Sequence, residues 1–247
     1  DPASVLHYNY TITRTWRATD IAGNYSECIQ IITVHDITNP LFTVPGTITI
    51  CRAVDCTYDI STSLTGDVSD ESDNCTPGSL LNAVYSDDFS GLIDCNNFGF
   101  ILRTWTLADI AGNTTVKVQT IWVEPTPTVT VVNNTPIICN NANVNLVINS
   151  LTISINSANL SYVVTVTSTD PAHLGGSAST GFTTLKADLP FSITGTLTNS
   201  SDAPIVVTYT VTPKLNGCSD GPVQIVTVIV NPTPQVVPGT LAQTICN

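Results

Sequence analysis

Apolar and polar positions alternate with a period of two along most of this chain. YNYTITRTWRAT (8–19), IQIITV (29–34), GFILRTWTLA (99–108), VQTIWV (118–123), LSYVVTVTST (160–169), PIVVTYTVTP (204–213) and PVQIVTVIVNP (222–232) all follow it. They are rich in Val, Ile, Thr and aromatic residues and end at Gly, Pro, Asn or Asp, so each is expected to be a strand. No segment carries a convincing helical period, and DPAHLGGSASTGF (170–182) reads as loop. Asn216-Gly217, between the last two strands, is a strong short hairpin signal.

The strands belong to repeats. Arg14, Trp16, Asp20, Gly23 and Asn24 recur with the same spacing as Arg103, Trp105, Asp109, Gly112 and Asn113. A second repeat has its own offset: EPTP (124–127) returns as NPTP (231–234), and IICN (137–140) as TICN (244–247). The chain is therefore a window on a tandem array of modules of about 90 to 110 residues. The expected domains are 1–40 (the C-terminal part of one module), 41–125, 126–232, and 233–247 (the start of another). The expected fold class is all-β, with immunoglobulin-like β-sandwich modules in a linear array. ATDIAGN is the predicted hairpin turn: Gly supplies positive φ and the Asp carboxylate accepts backbone N–H groups. Trp16 and Trp105 are expected as core anchors. Arg14 is in phase with Trp16, so either the Arg lies at the core edge or the pair stacks outside as cation and π face; the core reading is preferred.

Composition narrows the function. The net charge is −12, with only 7 Lys and Arg, which argues against nucleic-acid binding and against attraction to anionic membranes. No apolar run approaches the ~20 residues that cross a bilayer. Eight cysteines without a C-x-x-C pair, in a Thr-rich chain, point to disulfides and an oxidising, extracellular setting rather than to zinc. DPASVLHYNY is not a signal peptide, so a secreted protein would contain this chain as a mature or internal piece.

DNC (73–75), DC (94–95), LRTWTLADIAGN, an alternating strand and a Pro break together resemble hyalin-repeat-like modules. Residues 10–40 share the second half of that pattern. The stretch from PTPTVTVVNNTPIICNN to NPTP looks like a polycystic-kidney-disease-like module. The resemblance implies long secreted surface adhesins of Bacteroidota, including gliding-motility adhesins exported by the type IX pathway. It also implies neighbouring modules of the same chain as partners, and no catalytic residues. Ala22 and Ala111 depart from the many hyalin-like modules that carry Cys in this turn.

Cys139 and Cys218 are the only cysteines of the third module and are expected to pair. The family pattern implies Cys75–Cys95, which leaves Cys51 with Cys56. Cys28 and Cys246 are expected to have partners outside the chain. Asp67, Asp70, Glu71 and Asp73 offer hard oxygens suited to Ca²⁺, the one cofactor considered, against a plainer reading as a solvated loop. Asp20 with Asn24 and Asp109 with Asn113 are further candidate ligands, though a turn role suffices for them. His7, His35 and His173 lack motif partners, and no H-E-x-x-H, G-x-S-x-G or phosphate loop occurs. The expected function is a disulfide-stapled stalk or spacer of a cell-surface adhesin or filament, bearing force and presenting a binding region. The Pro-containing junctions TNP, EPTP and NPTP stiffen it. Two alternatives stand beside it: modules that bind surface glycans or proteins, with Tyr8, Tyr10, Phe98 and Phe100 as an aromatic platform, and an accessory region of a secreted hydrolase.

Overall fold

The computed structural model describes residue 1 and residues 3–234. The protein is all-β and divides into two compact units. The first comprises 1–50, 59–93 and 99–123. The second comprises 51–58, 94–98 and, among the described residues, 124–234.

In the first unit, β1 (Asn9–Thr19) and β2 (Tyr25–His35) form an antiparallel hairpin with an unbroken register from Asn9↔His35 to Thr19↔Tyr25. Its residues are almost all exposed. The next elements are β3 (Leu41–Thr43), β4 (Ile48–Cys51), a single helical turn α1 (Thr62–Thr65), β5 (Ser69–Ser72), β6 (Val84–Asp88), β7 (Gly99–Ala108) and β8 (Thr114–Glu124). One sheet has the order β4-β8-β7-β6, and β3 pairs with β5. Strand β7 is buried at every second residue, which places Ile101, Arg103, Trp105 and Leu107 on one inward face. Trp105 and Leu107 pack with Phe42 and Leu81.

The in-phase Arg and Trp are thus both interior. The Arg103 side chain is fully buried yet fully engaged. It makes a bidentate pair with Asp87, its neighbour across β6, at 2.7 and 2.9 Å. It also donates to Thr65 Oγ1 and to the Ile60 carbonyl, both at 2.7 Å, and its guanidinium lies 4.1 Å from the Tyr85 ring centre. Trp105 Nε1 donates to Gln119 Oε1 at 3.4 Å, and Gln119 Nε2 donates to the Thr65 carbonyl at 2.8 Å. Trp16, expected as a core anchor, is instead 57% exposed: the hairpin writes the same pair on an open face, with Trp16 Nε1 donating to Gln30 Oε1 at 3.2 Å and Arg14 5.5 Å from the Trp16 ring centre.

The second unit is a sandwich. Its strands are β9 (Thr130–Asn133), β10 (Ile137–Cys139), β11 (Ala142–Asn143), β12 (Leu146–Asn149), β13 (Leu160–Ser168), β14 (Leu174–Gly175), β15 (Phe182–Leu185), β16 (Phe191–Ile193), β17 (Thr196–Asn199), β18 (Ile205–Leu215) and β19 (Gln224–Asn231). The largest sheet runs β10-β19-β18-β13-β15; smaller ones run β16-β12-β9 and β11-β17-β14. Over its eleven residues β18 alternates buried and half-buried without a break. It sends Ile205, Val207, Tyr209 and Val211 into a core shared with Leu146, Ile148, Tyr162 and Leu197. The β18–β19 turn has Gly217 at φ 86° and a Cys218 N–H to Leu215 carbonyl bond of 3.0 Å. Inside the core, the Tyr209 hydroxyl donates to the Ala178 carbonyl at 2.8 Å, and burial pushes its pKa up from 10.0 to about 12. Burial raises Tyr162 as well. The folded state therefore holds the phenol proton longer than the unfolded chain. Below pH 10 these groups leave stability unchanged. Between pH 10 and about 12 the unfolded chain releases protons first, so stability falls. Denaturation midpoints are expected to drop over that window, and by less in Tyr209→Phe.

The compact units differ from the expected domains 1–40, 41–125 and 126–232 in two ways. The hairpin groups with the body that follows it, and segments 51–58 and 94–98 group with the second unit. Those segments are knitted in by backbone bonds: Phe98 N–H to the Ile153 carbonyl and Ile153 N–H to the Asn96 carbonyl, both 2.8 Å, and Arg52 N–H to the Glu124 carbonyl, 3.0 Å. The expected start of a further module lies outside the described residues beyond Pro234, and so does Cys246.

The disulfides correct the expected pairings. Cys51 bonds Cys218 and Cys56 bonds Cys95, each with Cα atoms 5.7 Å apart. Cys28, Cys75 and Cys139 are exposed thiols. Cys139–Cys218 fails on distance. Cys139 lies beside Asn231 at one end of β19, and Cys218 lies beyond the other end at Gln224, so seven residues of strand, about 23 Å, separate them where a bridge tolerates less than about 7 Å. Cys75–Cys95 gives way because Cys95 is taken by Cys56, while Cys75 sits against the β7–β8 turn within the first unit. Cys51–Cys56 fails because a tight turn, with Ala53 N–H to the Thr57 carbonyl at 2.7 Å and Cys56 at φ 70°, presents Cys56 to Cys95.

Candidate functional site

Three aspartates from distant parts of the first unit converge: Asp36 in the link after β2, Asp73 after β5, and Asp109 at the β7–β8 turn. Each presents an oxygen within 4.8 Å of those of the others. Asp36 and Asp109 are 5% and 6% exposed, and Asp73 is half-buried.

Local turn chemistry sets each carboxylate. Asp109 Oδ1 accepts the N–H groups of Gly112 at 2.7 Å and Asn113 at 2.8 Å, and its Oδ2 accepts Asn113 Nδ2 at 2.8 Å. Gly112, at φ 101°, closes the turn. Asp73 Oδ2 accepts the N–H groups of Cys75 at 2.9 Å and Thr76 at 2.8 Å. Asp36 Oδ1 accepts the Thr38 N–H at 3.1 Å. Two further bonds join these turns. Asn113 Nδ2 donates to the Asp36 carbonyl at 3.2 Å, and the Ile110 N–H donates to Thr76 Oγ1 at 3.2 Å. Asp36 Oδ2 and Asp73 Oδ1 are sealed from solvent without a hydrogen-bond partner. Beside the cluster lies a cavity of about 310 Å³ whose lining includes His7, Tyr8, His35, Asp36, Asn74 and Cys75. Desolvation, followed by the charge of Asp36, pushes the Cys75 thiol pKa up.

Of the acidic run singled out in the sequence, Asp73 alone joins this group. Asp70 is exposed on β5, at φ 59°. Glu71 is taken up by the Ala83 N–H at 2.6 Å, and Asp67 by the N–H of Val68 at 2.8 Å. Asp20 and Asn24 build the same turn as Asp109 and Asn113, with Asp20 Oδ1 accepting the Asn24 N–H at 2.8 Å and Gly23 at φ 87°. The Asn24 side-chain amide is the main group holding the Asp20 carboxyl below its usual pKa. Asp20 is exposed, however. Asp36 was missed by sequence reasoning. Its one local signal is the D-x-T that makes its own turn.

The proposed aromatic platform is divided. Tyr8 is buried and Tyr10 exposed, while Phe100 packs edge-on against Trp122 at 5.6 Å.

No family model and no curated protein match this chain. Solved structures do resemble it. The extracellular cadherin domains 3–6 of protocadherin gamma B2 align over 94% of this chain and 60% of theirs, at 12% identity and a TM-score of 0.43. The human desmocollin-1 ectodomain aligns over 90% of this chain and 48% of its own length, at 10% identity and a TM-score of 0.40. Mouse cadherin-23 EC22–24 aligns over 92% of this chain and 75% of its own, at 13% identity and a TM-score of 0.34. The chain thus spans about 60% of the gamma B2 structure. Among the described residues no helix is long and apolar enough to cross a membrane.

Proposed function

We propose that this chain is a segment of a secreted, cell-surface array of tandem β-sandwich modules, acting as a spacer that carries force between a cell and whatever the array binds. The observation behind the reading is that one strand–turn–strand unit is built twice, down to its Trp–Gln hydrogen bond and its Asp–Asn turn. Repetition of a structural unit without repetition of a reactive one fits a mechanical role. The two disulfides fit an oxidising exterior. The motif likeness to hyalin-repeat-like and polycystic-kidney-disease-like modules extends the reading to gliding adhesins of Bacteroidota and the type IX pathway.

Single-molecule pulling from both ends tests it. The Cys51–Cys218 bridge lets tension pass from β4 to the turn before β19, so the 167-residue separation stays out of the stretched path. Reductant is expected to release roughly 550–600 Å of additional contour length, at about 3.3–3.6 Å per residue. Extension of the oxidised chain at forces no greater than a flexible linker needs would sink the spacer reading. Specific capture of a glycan by the isolated chain would replace it with a binding module.

A further inference from the structure

We infer that Asp36, Asp73 and Asp109 form a binding site for a hard divalent cation, Ca²⁺ in preference to Mg²⁺, which clamps the link after β2 to the β7–β8 turn. The argument begins with charge. Three carboxylates share a region under 5 Å across, two of them nearly sealed from water, and none of the ion pairs among the described residues involves them. Buried like charges oppose folding unless an opposite charge joins them.

Orientation adds a second, independent point. Backbone N–H groups hold one oxygen of Asp36 and one of Asp73, while the other oxygen of each is buried with no hydrogen-bond partner. A side chain fixed through one oxygen and left unsatisfied at the other is poised to ligate. The Asn113 amide, bonded to both the Asp36 carbonyl and Asp109 Oδ2, holds two of the three segments in place. Oxygens bound to Ca²⁺ at about 2.3–2.6 Å lie up to about 5 Å apart, which suits this spread, and three carboxylates are hard donors that suit Ca²⁺. Mg²⁺ demands a tighter octahedron and parts with its water reluctantly.

The chain contains its own control. The Asp20 turn repeats the hydrogen bonds of the Asp109 turn, but Asp20 is exposed and belongs to no such cluster among the described residues. The inference does not depend on the spacer reading, because a cation would bind here whatever the array does.

The test is calorimetric titration of the metal-stripped chain with CaCl₂ and MgCl₂, paired with thermal melts in CaCl₂ and in EDTA. The expected result is one Ca²⁺ site, a melting temperature raised by CaCl₂, and a weaker response to MgCl₂. Asp36→Asn keeps the acceptor for the Thr38 N–H, so it should fold. It is expected to weaken Ca²⁺ binding by about tenfold or more. Without metal it should melt no lower than the parent, because one of three like charges has gone. Asp20→Asn and the Asp67→Asn/Asp70→Asn double variant should keep the full Ca²⁺ response. An absence of Ca²⁺ heat in the parent, or an undiminished response in both Asp36→Asn and Asp109→Asn, would overturn the inference.

Discussion

Replacing Cys51 and Cys218 together with serine is expected to cost about 5 kcal/mol, read as a lower urea midpoint with a steeper slope, because the unfolded chain freed of its cross-link exposes more surface. The magnitude follows from the 167-residue separation, because the entropy withheld from the unfolded chain grows with the logarithm of the loop it closes. Both cysteines are changed so that the substitution creates no new lone thiol to exchange with Cys56–Cys95. The Cys139→Ser variant, which removes a thiol that bonds to no other cysteine among the described residues, should leave the midpoint unchanged. If the two results are reversed, the bridge runs to Cys139 and the pairing described above is wrong.

Arg103→Ala is the second large effect, at about 3–5 kcal/mol. The substitution strands the Asp87 carboxylate, whose side chain is 10% exposed, and removes the guanidinium donors to Thr65 Oγ1 and the Ile60 carbonyl, the latter keeping only a 3.4 Å bond from the Thr65 hydroxyl. Most of the loss comes from the charge left behind rather than from the ion pair itself. The Asp87→Ala/Arg103→Ala double variant should therefore be more stable than the sum of the single losses implies. Arg103→Lys should recover only part, because an ammonium cannot make the two-pronged contact. Strictly additive losses would show that the two side chains act independently.

How much of this was legible beforehand depended on distance along the chain. The strands, the Asp–Gly–Asn turns and the Asn216-Gly217 hairpin are local, and period-two alternation with turn residues marks them. Trp105 in the core was legible for the same reason. Arg103 beside it was half legible: the phase put it inside, but its partners Asp87, Thr65 and Ile60 come from other segments. The disulfides were not legible. The repeats assigned cysteines to modules as though each module closed on itself, whereas segments 51–58 and 94–98 fold with the chain after Glu124. The aspartate cluster was hidden likewise. Asp73 drew notice for its acidic neighbours, which the fold sends elsewhere, and Asp109 for its turn. Asp36 carries no signal beyond its own Asx turn, and three Asx turns declare a shared centre only once the chain brings them together.

The ring closed by Cys51 and Cys218 also changes what a protease can do. Cutting any one peptide bond between those two residues leaves the polypeptide before Cys51 covalently joined to that after Cys218. A nick in the 170–182 loop would open the ring without parting its ends, so a strand of such modules would survive a cleavage that severs an unbridged one.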